Sequence, residues 1–106
     1  MTHANHEIFI ASIHSKNHLT ICFDSIEKGT ITRTCIPFDY AVSKRYKDGA
    51  YRYHFYDLDS PEGSHTLSIL PQQIITIDLM PAKFEPADYI RWIPKWNIAR
   101  NWGVYS

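Results

Sequence analysis

The side chains best suited to metal or redox chemistry in this sequence are two cysteines, Cys22 and Cys35. A hairpin register that places them directly opposite one another would allow a disulfide or supply two zinc ligands. A zinc site needs four ligands, and the sequence has no CxxC pair or suitably spaced histidine set to complete one. It also lacks a phosphate-binding loop, a glycine-rich nucleotide fingerprint and a nucleophile elbow. We therefore predict two reduced, partly buried thiols, no metal or other cofactor, and no enzymatic activity.

A second group of residues has the composition of a surface that binds nucleic acid or another ligand. The segment 51–56 interleaves tyrosines with an arginine, and aromatic rings of this kind stack on bases. The polar segment 39–50 supplies basic side chains that could contact phosphates. The alternative interpretation is that Tyr53 and Phe55 belong to the core. The predicted binding residues are Arg33, Lys44, Arg45, Tyr51, Arg52 and Tyr53.

All three tryptophans, Trp92, Trp96 and Trp102, lie after residue 80. Tryptophan is enriched at protein interfaces, so we predict that these residues form a partner or self-association surface. At the same time we expect at least two of them to pack on the domain in cis, because three exposed tryptophans would promote aggregation. Pro86 favours the first turn of a helix, and Pro94 would end or kink that helix.

Apolar periodicity predicts an N-terminal helix followed by about five short strands. The helix covers 7–14, with Asn5 as its N-cap. Closely spaced short strands are typical of a small, strongly bent barrel rather than a sandwich of seven or more strands. The strands are predicted at 19–26, 31–38, 51–56, 65–70 and 73–79, with a turn at 57–63.

The first two predicted strands form a hairpin. Lys28-Gly29 is predicted as its two-residue loop, since glycine suits tight hairpin turns. In this register Cys22 lies opposite Cys35, Asp24 lies opposite Arg33, and one face of both strands remains apolar. The residues of that face are Leu19, Ile21, Phe23, Ile36 and Phe38.

The 106 residues and the net charge of zero favour one neutral domain. We divide it into a barrel with its helix, 1–80, and an aromatic C-terminal extension packed on it, 81–106. Balanced charge does not favour long-range attraction to nucleic acid or to an anionic membrane. No apolar run approaches the roughly 20 residues needed to span a bilayer, and the first residues do not read as a signal peptide. We therefore expect a cytoplasmic, reducing environment.

The order of elements over residues 8–80 resembles the WYL domain, a small ligand-sensing barrel found in bacterial regulators. The run Arg33-Thr34-Cys35-Ile36-Pro37 occupies the place of the family's R-x-V-x-P strand. Tyr51–Asp57 stands in the place of the Trp-Tyr-Leu strand, and Gln73 stands where the family has a ligand-facing arginine. The resemblance implies a Sm-like or Src-homology-3-like barrel, here without a preceding helix-turn-helix.

We therefore predict a mainly β protein that acts as a non-enzymatic regulatory module. In the first hypothesis it senses a ligand, such as a nucleotide, or binds single-stranded nucleic acid. The alternative is a structural or assembly module that oligomerises or binds a protein partner through its Trp-rich tail. A membrane partner is not expected.

Overall fold

The computed structural model describes residues 3–60, 63 and 65–106. These residues form an N-terminal helix and a five-stranded antiparallel sheet, so the predicted mainly β class with a short N-terminal helix is confirmed. The predicted turn at 57–63 includes Pro61 and Glu62, which lie outside the described residues. The elements are α1 (His3–Ser15), β1 (Asn17–Ser25), β2 (Gly29–Val42), β3 (Tyr51–Asp57), β4 (His65–Ile69) and β5 (Ile74–Lys83).

The β1–β2 hairpin has a register different from the predicted one. Leu19 lies opposite Cys35, and Cys22 lies opposite Thr32. The predicted Cys22–Cys35 pair is therefore wrong, and both cysteines are free thiols. Cys35 joins Leu19 on one face of the sheet, and the neighbouring Ile36 points to the other face because side chains alternate along a strand.

The length of the hairpin loop explains this register. Gly29 pairs with Ser25 and has a φ of 72°, so the loop contains the three residues 26–28 instead of two. A short hairpin loop commonly needs one left-handed residue to complete the turn, and Gly29 supplies it directly after the loop. The predicted Asp24–Arg33 pair is also wrong, because Arg33 lies opposite Ile21 in this register.

The sheet has the strand order β4-β3-β2-β1-β5, so the two edge strands follow one another in the chain. Only residues 70–73 connect them, including a 3₁₀ turn at Pro71–Gln73. Four residues span at most about 14 Å, so the sheet must curve strongly to bring its edges this close. Within the described part of the chain β4 does not pair with β5, and the sheet is not closed into a barrel.

The helix α1 covers one face of the sheet. Phe9 is fully buried, and its ring lies 4.9 Å from that of Tyr53 and 5.3 Å from that of Phe55. Asn5, which was predicted to cap the helix, lies inside it instead. Its side chain donates to Ile75 O (3.3 Å) and accepts from Ile77 N (3.1 Å), so it ties α1 to the edge strand β5.

The C-terminal tail, residues 84–106, contains no α-helix; it packs on Tyr56 of β3 through Tyr89 and reaches the end of α1 through Trp102. Around Pro86 it forms a single 3₁₀ turn, Pro86–Asp88, where a longer helix was predicted to run until Pro94. The rings of Tyr56 and Tyr89 lie 5.2 Å apart, so the tail packs directly on β3. No helix among the described residues is long and apolar enough to cross a membrane.

Candidate ligand-binding cleft

The tail is fastened to β2 by a buried carboxylate. Asp39 accepts hydrogen bonds from the backbone N–H groups of Asn97 (2.8 Å) and Ile98 (3.0 Å). The guanidinium of Arg100 lies 3.3 Å from Asp39 Oδ1. Because Asp39 is buried, its charge needs these partners to offset the loss of water. We call the contacts of Asp39 with Asn97, Ile98 and Arg100 the tail latch.

The arginine of the latch lies between two tryptophan rings. The carbon of the Arg100 guanidinium is 3.9 Å from the Trp96 ring centroid and 4.5 Å from that of Trp102. Its terminal nitrogens donate to Phe38 O and Asp39. Burial lowers the pKa of Arg100 to about 10, and the Asp39 charge opposes that shift. Arg100 therefore stays positively charged at neutral pH and holds the tail by charge and by cation–π contacts.

The three tryptophans occupy different environments. Trp102 is only 3% exposed, and its indole N–H donates to Ile13 O at 2.8 Å. Trp96 is half-buried, and its indole N–H donates to Tyr105 O at 2.7 Å. Trp92 is 50% exposed, and its indole N–H makes no hydrogen bond within the described residues. Trp96 and Trp102 thus pack in cis, and only Trp92 presents much of its ring to solvent.

A cleft of about 350 Å³ opens between the tail and the sheet. Three aromatic rings form its walls: the Phe38 centroid lies 5.8 Å from that of Trp92 and 5.9 Å from that of Trp96. Lys44 and Lys95 also line the cleft. We call this site the aromatic cleft.

The two lysines reach the cleft from different parts of the chain. Lys44 lies in a tight turn after β2, in which Ser43 Oγ accepts from the backbone N–H groups of Arg45 (3.2 Å) and Tyr46 (3.4 Å). Lys95 lies in the tail between the two cleft tryptophans. Both lysines are exposed, and neither forms an ion pair with a residue that the structure describes. The cleft therefore combines aromatic surface with two available positive charges.

A histidine at the cleft is already engaged in hydrogen bonds. His54 Nε2 lies 2.9 Å from Ala41 O and Nδ1 lies 2.8 Å from Ser68 Oγ. Because a carbonyl oxygen only accepts, Nε2 carries a proton, and in the neutral ring Nδ1 accepts from the Ser68 hydroxyl. His54 therefore lines the cleft as a fixed wall, with no ring nitrogen left for a ligand.

The structure does not bring the predicted binding residues together in one site. Lys44 lines the aromatic cleft, whereas Arg33 lines a second cleft beside the β1–β2 hairpin. Arg45 is exposed on the turn after β2, and Tyr51 is 46% exposed at the start of β3. The aromatic cleft instead unites Lys44 with Trp92 and Trp96, which were predicted as part of a partner interface.

Two of the predicted binding residues are buried. Tyr53 belongs to the core, and its hydroxyl lies 2.8 Å from His6 Nδ1, so its ring is not available for stacking on a ligand. Arg52 is 6% exposed and makes two hydrogen bonds to the carboxylate of Asp48, at 2.9 and 3.0 Å. Its guanidinium also lies 4.1 Å from the Tyr46 ring. Arg52 therefore braces the turn after β2 and is not free to contact a phosphate.

Among the residues that the structure describes, the buried thiol and the carboxylates beside it have structural roles. Cys35 is buried, and burial followed by the charge of Asp57 raises the pKa of its thiol, which leaves it protonated and unreactive. Asp57 Oδ1 accepts from the Asp59 N–H (2.9 Å), and Asp59 Oδ2 accepts from Thr34 N (2.8 Å). These carboxylates thus stabilise backbone turns. Over the described ranges, no group of three or more histidine, cysteine, aspartate or glutamate side chains could hold a metal ion.

Sequence reasoning missed Asp39, Lys95 and Arg100. One signal was available for Asp39, which is an acidic residue directly after the apolar run 35–38 and therefore needs a partner if buried. Another was available in the tail, where Arg100 lies between two tryptophans and could stack on both. Neither signal identifies the partner residue, because Asp39 and Arg100 lie far apart in the chain.

No protein-family model, curated protein or solved structure matches the chain. The fold and the cleft define a small antiparallel β protein with an aromatic, lysine-bearing surface site. The resemblance to the WYL domain rests on the motifs quoted above.

Proposed function

We propose that this protein is a non-enzymatic regulatory module that binds one nucleotide unit, free or within a single strand, in the aromatic cleft. The observation that carries the proposal is the position of the half-exposed Trp92 beside Lys44 and Lys95. Base stacking on an aromatic ring stabilises binding by about 1–3 kcal/mol and tolerates every base. Lysine ammonium groups are suited to phosphate as point charges.

The dimensions of the aromatic cleft support a ligand of this size. Its volume of about 350 Å³ lies at the lower end of the range of roughly 300–1,000 Å³ that is usual for small-molecule sites. Phe38 and Trp96 are held by the tail latch and the sheet, so two walls are formed before the ligand arrives. A preformed wall reduces the entropy cost of binding.

The topology supports the finer fold assignment that we propose, a strongly bent Sm-like or Src-homology-3-like barrel related to the WYL domain. The short connection 70–73 draws the two edge strands towards each other, as a bent sheet of this kind requires. Gln73, which stands where that family has a ligand-facing arginine, has a structural role in this fold. Its side chain bonds to Leu70 N (3.1 Å) and Asp24 O (3.0 Å), so it holds the β4–β5 connection.

The proposal is tested by titrating tryptophan fluorescence with an oligothymidylate of about 10 nucleotides at low salt. We expect quenching, because a base stacks on Trp92. The double variant K44A/K95A should weaken binding and make the negative slope of log K against log salt shallower by about 1.4, since each lost phosphate contact removes about 0.7. The control K28A removes a charge that does not line this cleft and should leave affinity nearly unchanged.

Unchanged fluorescence with both the oligonucleotide and a free nucleotide would contradict the proposal. A loss in log K with K28A about half as large as that with K44A/K95A would also contradict it, because each lysine would then act through total charge and not through the cleft.

A second candidate function, an assembly module, is favoured by one observation. Ile93 is 88% exposed directly beside the half-exposed Trp92, and adjacent exposed apolar residues are typical of interaction surfaces. If this surface assembles copies of the chain, light scattering after gel filtration should show a concentration-dependent oligomer. The variant I93D should return it to a monomer, and a monomeric wild type at all concentrations would exclude self-assembly.

A further inference from the structure

A second cleft, of about 200 Å³, lies beside the β1–β2 hairpin and is separate from the aromatic cleft. Phe23, Ile31 and Leu67 supply an apolar surface, and Arg33 and Asp57 supply a charged one. We call this site the arginine cleft. Its volume is smaller than that of most drug-sized sites, so only a small ligand fits.

The guanidinium of Arg33 is held in place but only partly used. Its Nε lies 3.3 Å from Asp57 Oδ2, and Asp57 is almost fully buried. The terminal nitrogens of Arg33 make no hydrogen bond with any residue in the described ranges. No buried polar side-chain atom in those ranges lacks a partner, so these nitrogens must reach solvent. A guanidinium has five N–H donors, and most of those on Arg33 are therefore available to a ligand.

The charges around the arginine cleft determine what kind of anion it suits. Among the described residues that line it, Lys28 and Arg33 are balanced by Glu27 and Asp57. His65 also lines the cleft, and its Nδ1 donates to Gly63 O at 3.1 Å. With these formal charges cancelling, the cleft does not favour a doubly charged phosphate. A ligand with one negative charge suits the cleft better. The two terminal nitrogens of the Arg33 guanidinium form a planar fork of N–H donors, which matches the two oxygens of a carboxylate.

We infer that the arginine cleft binds a small organic monocarboxylate, with its carboxylate on the terminal N–H groups of Arg33 and its apolar body against Phe23, Ile31 and Leu67. This inference does not depend on the nucleotide site, because the two clefts share no lining residue. The apolar body distinguishes the ligand from inorganic anions, which have no surface to bury there.

The experiment is an NMR titration of the full chain with benzoate, which carries one carboxylate and one apolar ring. We expect the amide signals of Ile31, Arg33 and Leu67 to shift, with a dissociation constant on the order of 1 mM, as for a fragment-sized ligand. Inorganic phosphate at equal ionic strength should leave these signals in place. If benzoate shifts none of them, or if phosphate shifts them as strongly, the inference is wrong.

Two variants separate the fork of Arg33 from its charge. R33K keeps a positive charge beside Asp57 and so protects the fold, but it replaces the planar fork with a point charge. We expect it to weaken benzoate binding about tenfold or more, while the matched control R45K, at an exposed arginine, has no effect. Equal benzoate affinity in R33K and the wild type would overturn the role of the Arg33 terminal N–H groups. If R33K unfolds, the signals that shift in the wild type still test the site.

The double variant K44A/K95A should leave benzoate binding unchanged. A failure of the benzoate site is therefore distinguishable from a failure of the nucleotide site.

Discussion

Asp39 and Arg100, which are 61 residues apart in the chain, form a buried ion pair that joins the C-terminal half of β2 to the tail. The pair adjoins the aromatic cleft, because Asp39 lines the cleft and the Arg100 guanidinium stacks on the ring of Trp96, another lining residue. The position of the tail tryptophans therefore depends on a contact that is internal to the fold.

Removing the charge of Asp39 should destabilise the protein strongly. D39N leaves the guanidinium of Arg100 buried without a counterion and replaces one acceptor oxygen by a donor, so we expect a loss of about 3–5 kcal/mol in the free energy of unfolding. Urea denaturation followed by circular dichroism measures this loss. The control D24N, at an exposed aspartate with no ion pair in the described chain, should stay within about 0.5 kcal/mol of the wild type. Similar losses in both variants would contradict the latch.

The tryptophans should separate into structural and surface roles. W102A removes a buried ring that packs on Phe84 and Trp96, and we expect it to cost about 3–5 kcal/mol of stability. W92A removes a half-exposed ring and should cost less than about 2 kcal/mol while abolishing the fluorescence response to oligothymidylate. Thermal unfolding of the two variants in parallel tests the difference, and a larger loss in W92A would refute this assignment.

Deleting the tail should prevent folding. A chain of residues 1–83 loses Trp102, Arg100 and the N–H donors to Asp39, so that a carboxylate and the apolar surface beneath the tail become exposed. We expect this chain to be insoluble or to lack dispersed NMR signals. A soluble monomer that unfolds cooperatively would show that the tail is not part of the core.

The turn after β2 should respond to acid through Asp48. Hydrogen bonds from Arg52 lower the pKa of this carboxyl to about 2, whereas the value in an unfolded chain is about 3.9. Because the folded-state pKa is the lower one, the stabilisation is present above about pH 4 and is lost as the pH falls towards 2. An NMR titration of the Asp48 carboxyl carbon should give a midpoint near 2 in the wild type. A midpoint close to 4 would mean that the Arg52 contact does not persist in solution.

Patterns within one segment were enough to predict the helix and the strands. β1 alternates buried and more exposed residues along its length, which is the signal that its sequence carries. The hairpin register failed because glycine suits both two-residue and three-residue loops, and the sequence alone does not say which one Gly29 closes. The wrong loop length was enough to misplace both cysteines.

Contacts between distant segments could not be predicted. Lys44 and Lys95 share a cleft only because the tail crosses β2, and that crossing is fixed by Asp39 and Arg100. The segment 51–56 looked like a binding strand because its aromatic residues resemble a stacking surface. Tyr53 is instead covered by α1, and the periodicity of β3 does not tell which of its faces a helix will cover.

The three indole N–H signals in the NMR spectrum report whether a base stacks on Trp92 in the aromatic cleft. Titration with oligothymidylate of about 10 nucleotides should shift the Trp92 signal strongly and the Trp96 signal weakly. It should leave the Trp102 signal in place, because that N–H is buried on Ile13 O. A titration in which the Trp92 signal does not move, or in which all three signals move equally, would show that no base stacks on Trp92.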